Sequence, residues 1–175
     1  STPVMLIGYF LAETGLIEHF RNIKTIAWTT LIFGILLYFS DKNKLTKNLE
    51  NDLNFKSAIF IGLFQILSLI PGVSRSGIGI TAARLLNFKR TDSAKISFLI
   101  SIPILGAVSI FGFKNIISSE TIYFSKINMA AILLSCLFSL CTITYFLKYI
   151  KKFSLNVFVF YRIFLGIILL AYTYL

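Results

Sequence analysis

The stretch PGVSRSG, at residues 71–77, carries the side chains of this sequence that are best suited to chemistry. Ser74 and Ser76 flank Arg75, and a glycine stands on either side of this group. A guanidinium presents five N–H donors in a rigid fork that matches the oxygens of a phosphate. The serine hydroxyls and the backbone N–H groups exposed at glycines add further donors. This concentration of donors predicts a site for a phosphate or a diphosphate.

The sequence on either side of this stretch is apolar and predicts a membrane helix that is interrupted. Proline cannot continue a helix and glycine permits left-handed torsions, so we predict a helix over about 57–70, a break over about 71–77 and a helix over about 78–88. Each half is too short to span a bilayer. Ser74 or Ser76 can cap the second half, whose N-terminus adds the positive end of a helix dipole to the anion site. A broken helix at membrane depth is tolerated where it lines a cavity or is buried in protein.

The composition of the whole chain is that of a membrane protein. Of its 175 residues, 57% are hydrophobic and 14% are charged, whereas about a quarter of the residues of a soluble domain are charged. We therefore predict an all-α, polytopic membrane bundle that forms one domain over 1–175, with about four to five spans and a re-entrant helix pair at about 57–88. The predicted helices outside that pair are 3–17, 25–40, 96–113, 127–147 and 153–175.

The net charge of +10 is explained by the membrane rather than by nucleic acid. Lysines and arginines flank the predicted spans, as the positive-inside rule requires. The basic loops at 87–95 and 148–154 lie on one side, which we assign to the cytoplasm, and 114–126 lies outside. The loop at 41–56 is polar throughout and is expected to be fully solvated by water.

Further polar residues within apolar segments admit more than one interpretation. Arg75 and Arg162 are expected to be functional residues if they face a cavity. If their role is structural, each extends to the membrane interface or pairs with another group. For Arg162, the functional alternative is a second phosphate contact. We expect Arg84 to snorkel from a helix end, and Cys136 and Cys141 to be small buried apolar residues.

The motif and its surroundings resemble one family. PGVSRSG is similar to the PGxSRS motif of the bacterial undecaprenyl-diphosphate phosphatase family, the bacitracin-resistance type. The likeness extends over nearly the whole chain, through AIFIGLFQILSLIPGVSRSG, RTDSAKISFLISIPILGA and FVFYRIFLG. These blocks include Gln65, Tyr161, Arg162 and Gly166.

The resemblance implies an enzyme that hydrolyses a polyprenyl diphosphate to the monophosphate and phosphate, which recycles the lipid carrier of peptidoglycan synthesis. It implies a multi-pass protein of the bacterial plasma (inner) membrane, built from two inverted repeats, with an active site that opens toward the outer face. It also implies a divalent cation, Mg²⁺ or Ca²⁺, although we find no ligands for it in this chain. The expected partners are the lipid and a second copy in a homodimer, without nucleic acid.

The candidate site residues follow from the motif and from the resemblance together. The expected catalytic residues are Ser74, Arg75 and Ser76, and which serine acts is left open. The expected substrate-binding residues are Gly72, Gly77, Thr81, Gln65 and Arg162.

The chain departs from the family pattern in two respects. Gly79 stands where the family usually has threonine, so that hydroxyl is either replaced by Thr81 or lost. The family's N-terminal half-site, a re-entrant segment with paired glutamates and a Gly-His, has no match, since Glu13 and Glu18 are expected to be interfacial charges and His19 to lie at headgroup level. We therefore expect the fold to lack its N-terminal part and the chain alone to be inactive, through either a truncated record or a decayed gene.

A different class of function remains an alternative at this point. A transporter or lipid-phosphate flippase would use a broken helix with an anion-binding N-terminus in the same way. A purely structural subunit would leave Arg75 and its neighbouring serines unexplained.

Overall fold

The computed structural model describes residues 2–14, 21–118 and 126–174, and their regular secondary structure is helical. The chain forms two compact units, one of Ser1–Ile104 with Ser154–Leu175 and one of Leu105–Phe153. The helices are α1 (Thr2–Glu13), α2 (Ile23–Asp41), α3 (Leu49–Asp52), α4 (Phe55–Phe64), a 3₁₀ helix (Gln65–Leu69), α5 (Arg75–Leu85), α6 (Arg90–Ser118), α7 (Lys126–Lys152) and α8 (Asn156–Tyr174).

Four of these helices are long and apolar enough to cross a bilayer. They are α2, α6, α7 and α8, and their apolar stretches have about the length that a hydrocarbon core of roughly 30 Å requires. The predicted polytopic all-α membrane bundle is thereby confirmed. Within the described residues, the first helix ends at Glu13, and residues 15–17 of the predicted helix, with Glu18 and His19, lie outside the described part.

Asparagine and serine side chains define where three helices begin. Oδ1 of Asn22 accepts a hydrogen bond from the Lys24 N–H at the start of α2, and Oδ1 of Asn54 accepts one from the Ser57 N–H at the start of α4. Ser74 caps α5 in the same way. Each cap satisfies one of the N–H groups that a helix start leaves without an intrahelical partner.

The broken helix forms a hairpin of α4, the 3₁₀ helix and α5. The break is shorter than the predicted 71–77, because the cap at Ser74 brings Arg75 into the first turn of α5. The two arms pack through a small apolar core that includes Ile61, Ala82, Ala83, Phe88 and Ile96. This hairpin is the predicted re-entrant pair.

The hairpin as a whole begins and ends near the same end of α2. The backbone of Lys47 pairs with that of Phe88, and the Leu49 N–H donates to the Asp92 carboxylate. At that end the Asp41 carboxylate accepts hydrogen bonds from Arg90, which begins α6, and from the N–H of Leu155. The ends of the two basic loops therefore lie together, as the charge pattern predicts.

Two predictions about polar residues are wrong. The loop at 41–56 is not solvated throughout, because Asp41 is 6% exposed. Arg84 does not snorkel: its side chain is fully buried and donates to the carbonyls of Asp41, Asn43, Lys44 and Phe88. Burial of this cation is tolerated because the Asp41 carboxylate and the carbonyls around Arg84 replace its contacts with water.

In the second unit, the prediction that the two cysteines of α7 are buried is wrong. Cys136 and Cys141 are exposed, on a helix whose apolar side chains are largely exposed as well. In a membrane helix the apolar face can be covered by lipid tails rather than by protein. In the first unit, α6 continues through Pro103 without ending.

Candidate functional site

The tip of the hairpin brings the two serines of the motif together at the start of α5. Oγ of Ser74 accepts a hydrogen bond of 3.1 Å from the Gly77 N–H. Oγ of Ser76 lies 3.3 Å from Oγ of Ser74, and Ser76 is exposed. The predicted cap and the predicted pair of hydroxyls are both present, beside N–H groups at the positive end of the helix dipole.

Arg75 is the first residue of α5 and is partly buried. Among the described residues, its guanidinium has neither a hydrogen bond nor an ion pair. A cation in the first turn of a helix is unfavourable by about 0.3–1 kcal/mol, because it meets the positive end of the dipole. An anion bound at this point would accept hydrogen bonds from the guanidinium of Arg75. It would also offset the unfavourable position of this positive charge at the helix start.

Arg162 reaches the same loop from α8. It is 9% exposed, and its Nη2 donates a hydrogen bond of 3.0 Å to the Gly72 carbonyl. A Cβ added at Gly77 would lie 2.9 Å from Nη1 of Arg162, so the guanidinium lies against the first turn of α5. Snorkelling is excluded for Arg162. It forms a structural pair with the backbone of the break, and a second phosphate contact remains a prediction.

Two threonines of α2, which the sequence analysis missed, hold the backbone of the break. Oγ1 of Thr29 donates to the Pro71 carbonyl at 2.7 Å, and Oγ1 of Thr30 donates to the Gly72 carbonyl at 3.3 Å. Gly72 has a φ of +90°, which residues with a Cβ rarely adopt. The pair of hydroxyls within the uncharged run 25–40 was the available signal.

Ser97 of α6 occupies the space beside Gly79. Its Oγ donates to the Ser76 carbonyl at 3.0 Å, and a Cβ added at Gly79 would lie 2.5 Å from that Oγ. Thr81 is buried, and its hydroxyl donates to the Gly77 carbonyl within the same helix at 2.8 Å. The hydroxyl beside position 79 is therefore that of Ser97, and a substrate role for Thr81 remains a prediction.

Restoring the family's threonine at position 79 should harm this chain. We expect Gly79→Thr to lower the free energy of unfolding by about 1–3 kcal/mol, the usual cost of overpacking, because the new Cβ would collide with Ser97. Thermal unfolding in detergent would measure it, and Ser97→Ala should recover part of the loss in the double variant. Equal stability of Gly79→Thr and the unsubstituted chain would contradict this packing.

Gln65 lies at the start of the 3₁₀ helix and is fully buried. Within the described part of the chain, neither its amide oxygen nor its amide nitrogen has a hydrogen-bond partner, and the same holds for Oγ of Ser68. Leaving such a buried group unsatisfied costs about 1–3 kcal/mol. A role for Gln65 toward a substrate stays a prediction, and its unmet hydrogen bonds are consistent with that role.

The described residues of this site do not fit a divalent cation. They offer hydroxyls, guanidinium groups and N–H donors, whereas Mg²⁺ and Ca²⁺ require oxygen ligands that commonly include carboxylates. In the described ranges, no group of three or more His, Cys, Asp and Glu side chains could hold a metal ion.

The contacts with α2 place the break beside the middle of a helix that is long and apolar enough to span a bilayer. Thr29 lies about 9 Å along the helix axis from Ile23 and about 18 Å from Asp41, at a rise of about 1.5 Å per residue. Because the basic loop ends meet at Asp41, the break is nearer to the opposite end of α2.

Comparison with known proteins identifies the family. The model of the bacitracin resistance protein BacA family matches residues 1–168. The chain belongs to the BacA family. This BacA-family chain is 53% identical over 175 residues to an undecaprenyl-diphosphatase of Pelagibacter ubique (strain HTCC1062), a match that covers 99% of the chain and 68% of the relative.

Other relatives of this BacA-family chain carry the same name. An undecaprenyl-diphosphatase of Jannaschia sp. (strain CCS1) is 38% identical over 174 residues, which cover 99% of the chain and 65% of the relative. One of Saccharophagus degradans is 41% identical over 167 residues, which cover 95% of the chain and 62% of the relative. The chain thus spans about two thirds of the length of the curated relatives that it matches.

Proposed function

We propose that this chain forms part of an undecaprenyl-diphosphatase, which hydrolyses a polyprenyl diphosphate to the monophosphate and phosphate. The observation that carries the proposal is Arg75, whose guanidinium has no partner among the described residues and stands at a helix start beside two serine hydroxyls. The names of its BacA-family relatives support the same activity.

In the proposed reaction, water adds to the terminal phosphorus and the anhydride P–O bond breaks, which leaves the lipid monophosphate. Arg75 and the N–H groups of the first turn of α5 hold the oxygens of the diphosphate and stabilise the charge that develops on them. Ser74 and Ser76 donate to the same oxygens, and either could act as the nucleophile in a two-step version. Arg162, together with Thr29 and Thr30, positions the backbone of the break.

The described site residues include no carboxylate or imidazole that could accept a proton from the attacking group. We propose that this group, and the ligands of the divalent cation that the family resemblance implies, come from a further segment that the family places before this one. On this proposal the 175 residues alone are inactive, and no step is assigned to the cation.

The location of the break supports a site that opens toward the outer face of the bacterial plasma membrane, because the break lies away from the end where the basic loops meet. We also propose that the protein forms a homodimer. No observation favours the transporter or flippase alternative, and the named relatives are diphosphatases.

Phosphate release from a polyprenyl diphosphate tests the proposal. The assay compares the 175-residue chain with a chimera in which the N-terminal segment of the Pelagibacter ubique relative precedes it. We expect release from the chimera and none from the chain alone. Vesicles that take up the lipid or translocate it without releasing phosphate would overturn the enzyme and favour a transporter.

A further inference from the structure

A polar cavity lies at the other end of α2, away from the break. It has a volume of about 360 Å³ and is lined by Tyr38, Asp41, Lys42, Asn43, Leu45, Arg90, Ser154 and Asn156. This volume is within the range of small-ligand pockets. None of these residues takes part in the site at the hairpin tip.

Cations exceed anions in and around this cavity. Asp41 is the single carboxylate of the lining, and two guanidinium groups approach it: Nε of Arg90 at 2.8 Å and Nε of the buried Arg84 at 3.4 Å. Lys42 adds a third positive charge, so these four side chains carry a formal charge of +2. The Asp41 carboxylate also accepts the Leu155 N–H, and it is therefore fully engaged.

The arrangement leaves donors facing the cavity. Arg90 uses its Nε and one N–H of Nη2 for Asp41, which leaves three of its five N–H donors for another acceptor. Its side chain is 27% exposed, whereas that of Asp41 is 4% exposed. The Asp41 carboxylate thus acts as a fixed anchor that orients the guanidinium fork.

Lys42 is oriented by aromatic rings rather than by an anion. Its Nζ lies 4.3 Å from the centroid of the Tyr38 ring and 5.8 Å from that of Phe39. The ammonium group keeps its three donors in this contact. Asn43, Ser154 and Asn156 add neutral polar groups to the same cavity.

The membrane supplies an anion at this depth. The cavity lies at the end of a spanning helix, where the basic loops begin and end, and this is the level of the lipid phosphates. Basic pockets between transmembrane helices on that side of a bilayer are suited to anionic headgroups. We propose that this cavity binds the phosphate-bearing headgroup of an anionic phospholipid, held by Arg90 and Lys42.

The test compares two variants that remove the same charge from the same end of the molecule. Lys42→Gln removes a cation from the cavity, whereas Lys89→Gln removes an exposed lysine of the neighbouring basic loop. The 175-residue chain is purified in detergent, and native mass spectrometry counts the phosphatidylglycerol and phosphatidylcholine that each variant retains. We expect Lys42→Gln to weaken phosphatidylglycerol binding about fivefold, and Lys89→Gln to weaken it less than about twofold.

A third variant keeps the charge and changes the shape. Arg90→Lys retains a cation beside Asp41 and loses the planar fork, so it should weaken phosphatidylglycerol binding while a thermal unfolding curve reports whether the fold is kept. Equal losses for Lys42→Gln and Lys89→Gln would show attraction to the surface alone and overturn the site. The lipid assignment would be overturned if the protein bound inorganic phosphate at this cavity but retained phosphatidylglycerol no better than phosphatidylcholine. That result would assign the cavity to free phosphate.

Discussion

Replacing Arg75 with alanine is expected to abolish most of the phosphate release of the chimera, with a loss in kcat of about a hundredfold to a thousandfold. Removing one preorganised donor from a charge-stabilising site has this effect in other hydrolases, since the donor acts on charge that develops in the transition state. The geometry favours the upper part of that range, because Arg75 stands at the helix start with no other partner in the described part of the chain. Steady-state phosphate release measures the loss.

Two control variants separate catalysis from folding and from general charge. Arg75→Lys keeps the cation but loses the fork, and we expect it to recover only a part of the activity. Arg21→Ala removes an arginine of the same charge from an exposed position before α2, and it should leave kcat unchanged. If Arg75→Ala retained more than about a tenth of the activity, the guanidinium would not be the principal charge-stabilising group.

The sequence predicted the parts of the site that depend on near neighbours. Pro71 and Gly72 indicated the break, and Ser74 could be recognised as a cap because an N-cap bonds to an N–H group only three residues ahead. The spans followed from uncharged runs of sufficient length. Each of these inferences uses a rule that acts within one or two turns of helix.

The parts that the sequence did not reveal depend on residues that are far apart in the chain. Ser97 fills the space beside Gly79 from a different helix, and Thr29 donates to a carbonyl 42 residues ahead of it. Arg84 was expected at an interface because its carboxylate neighbour, Asp41, comes 43 residues earlier. A single sequence can show an unusual polar residue but does not identify its remote partner, and burial of a cation is favourable only where the fold supplies such a partner.

Gly72 also packs against residues that are remote in the chain, namely those of α2. It is therefore the backbone position of the site at which we expect a substitution to lower stability most. We expect Gly72→Ala to lower the free energy of unfolding by about 2–6 kcal/mol, which combines a strained φ of +90° with overpacking. A Cβ at this position would lie 2.7 Å from the carbonyl oxygen of Ile26 and 2.9 Å from its Cα. Thermal unfolding in detergent would report the loss, and phosphate release by the chimera should fall with it, because the Gly72 carbonyl anchors Arg162 and Thr30.

Two further variants identify the origin of that loss. Gly106→Ala changes a glycine of α6 whose added Cβ would meet nothing within 4 Å, so it should be neutral or stabilise the helix by up to about 1 kcal/mol. Thr29→Ala, combined with Gly72→Ala, removes one colliding side chain but leaves the backbone of Ile26 and the strained φ in place. We therefore expect little recovery in the double variant. Full recovery would place the cost in the Thr29 side chain, and equal stability of Gly72→Ala and Gly106→Ala would contradict a backbone that requires glycine.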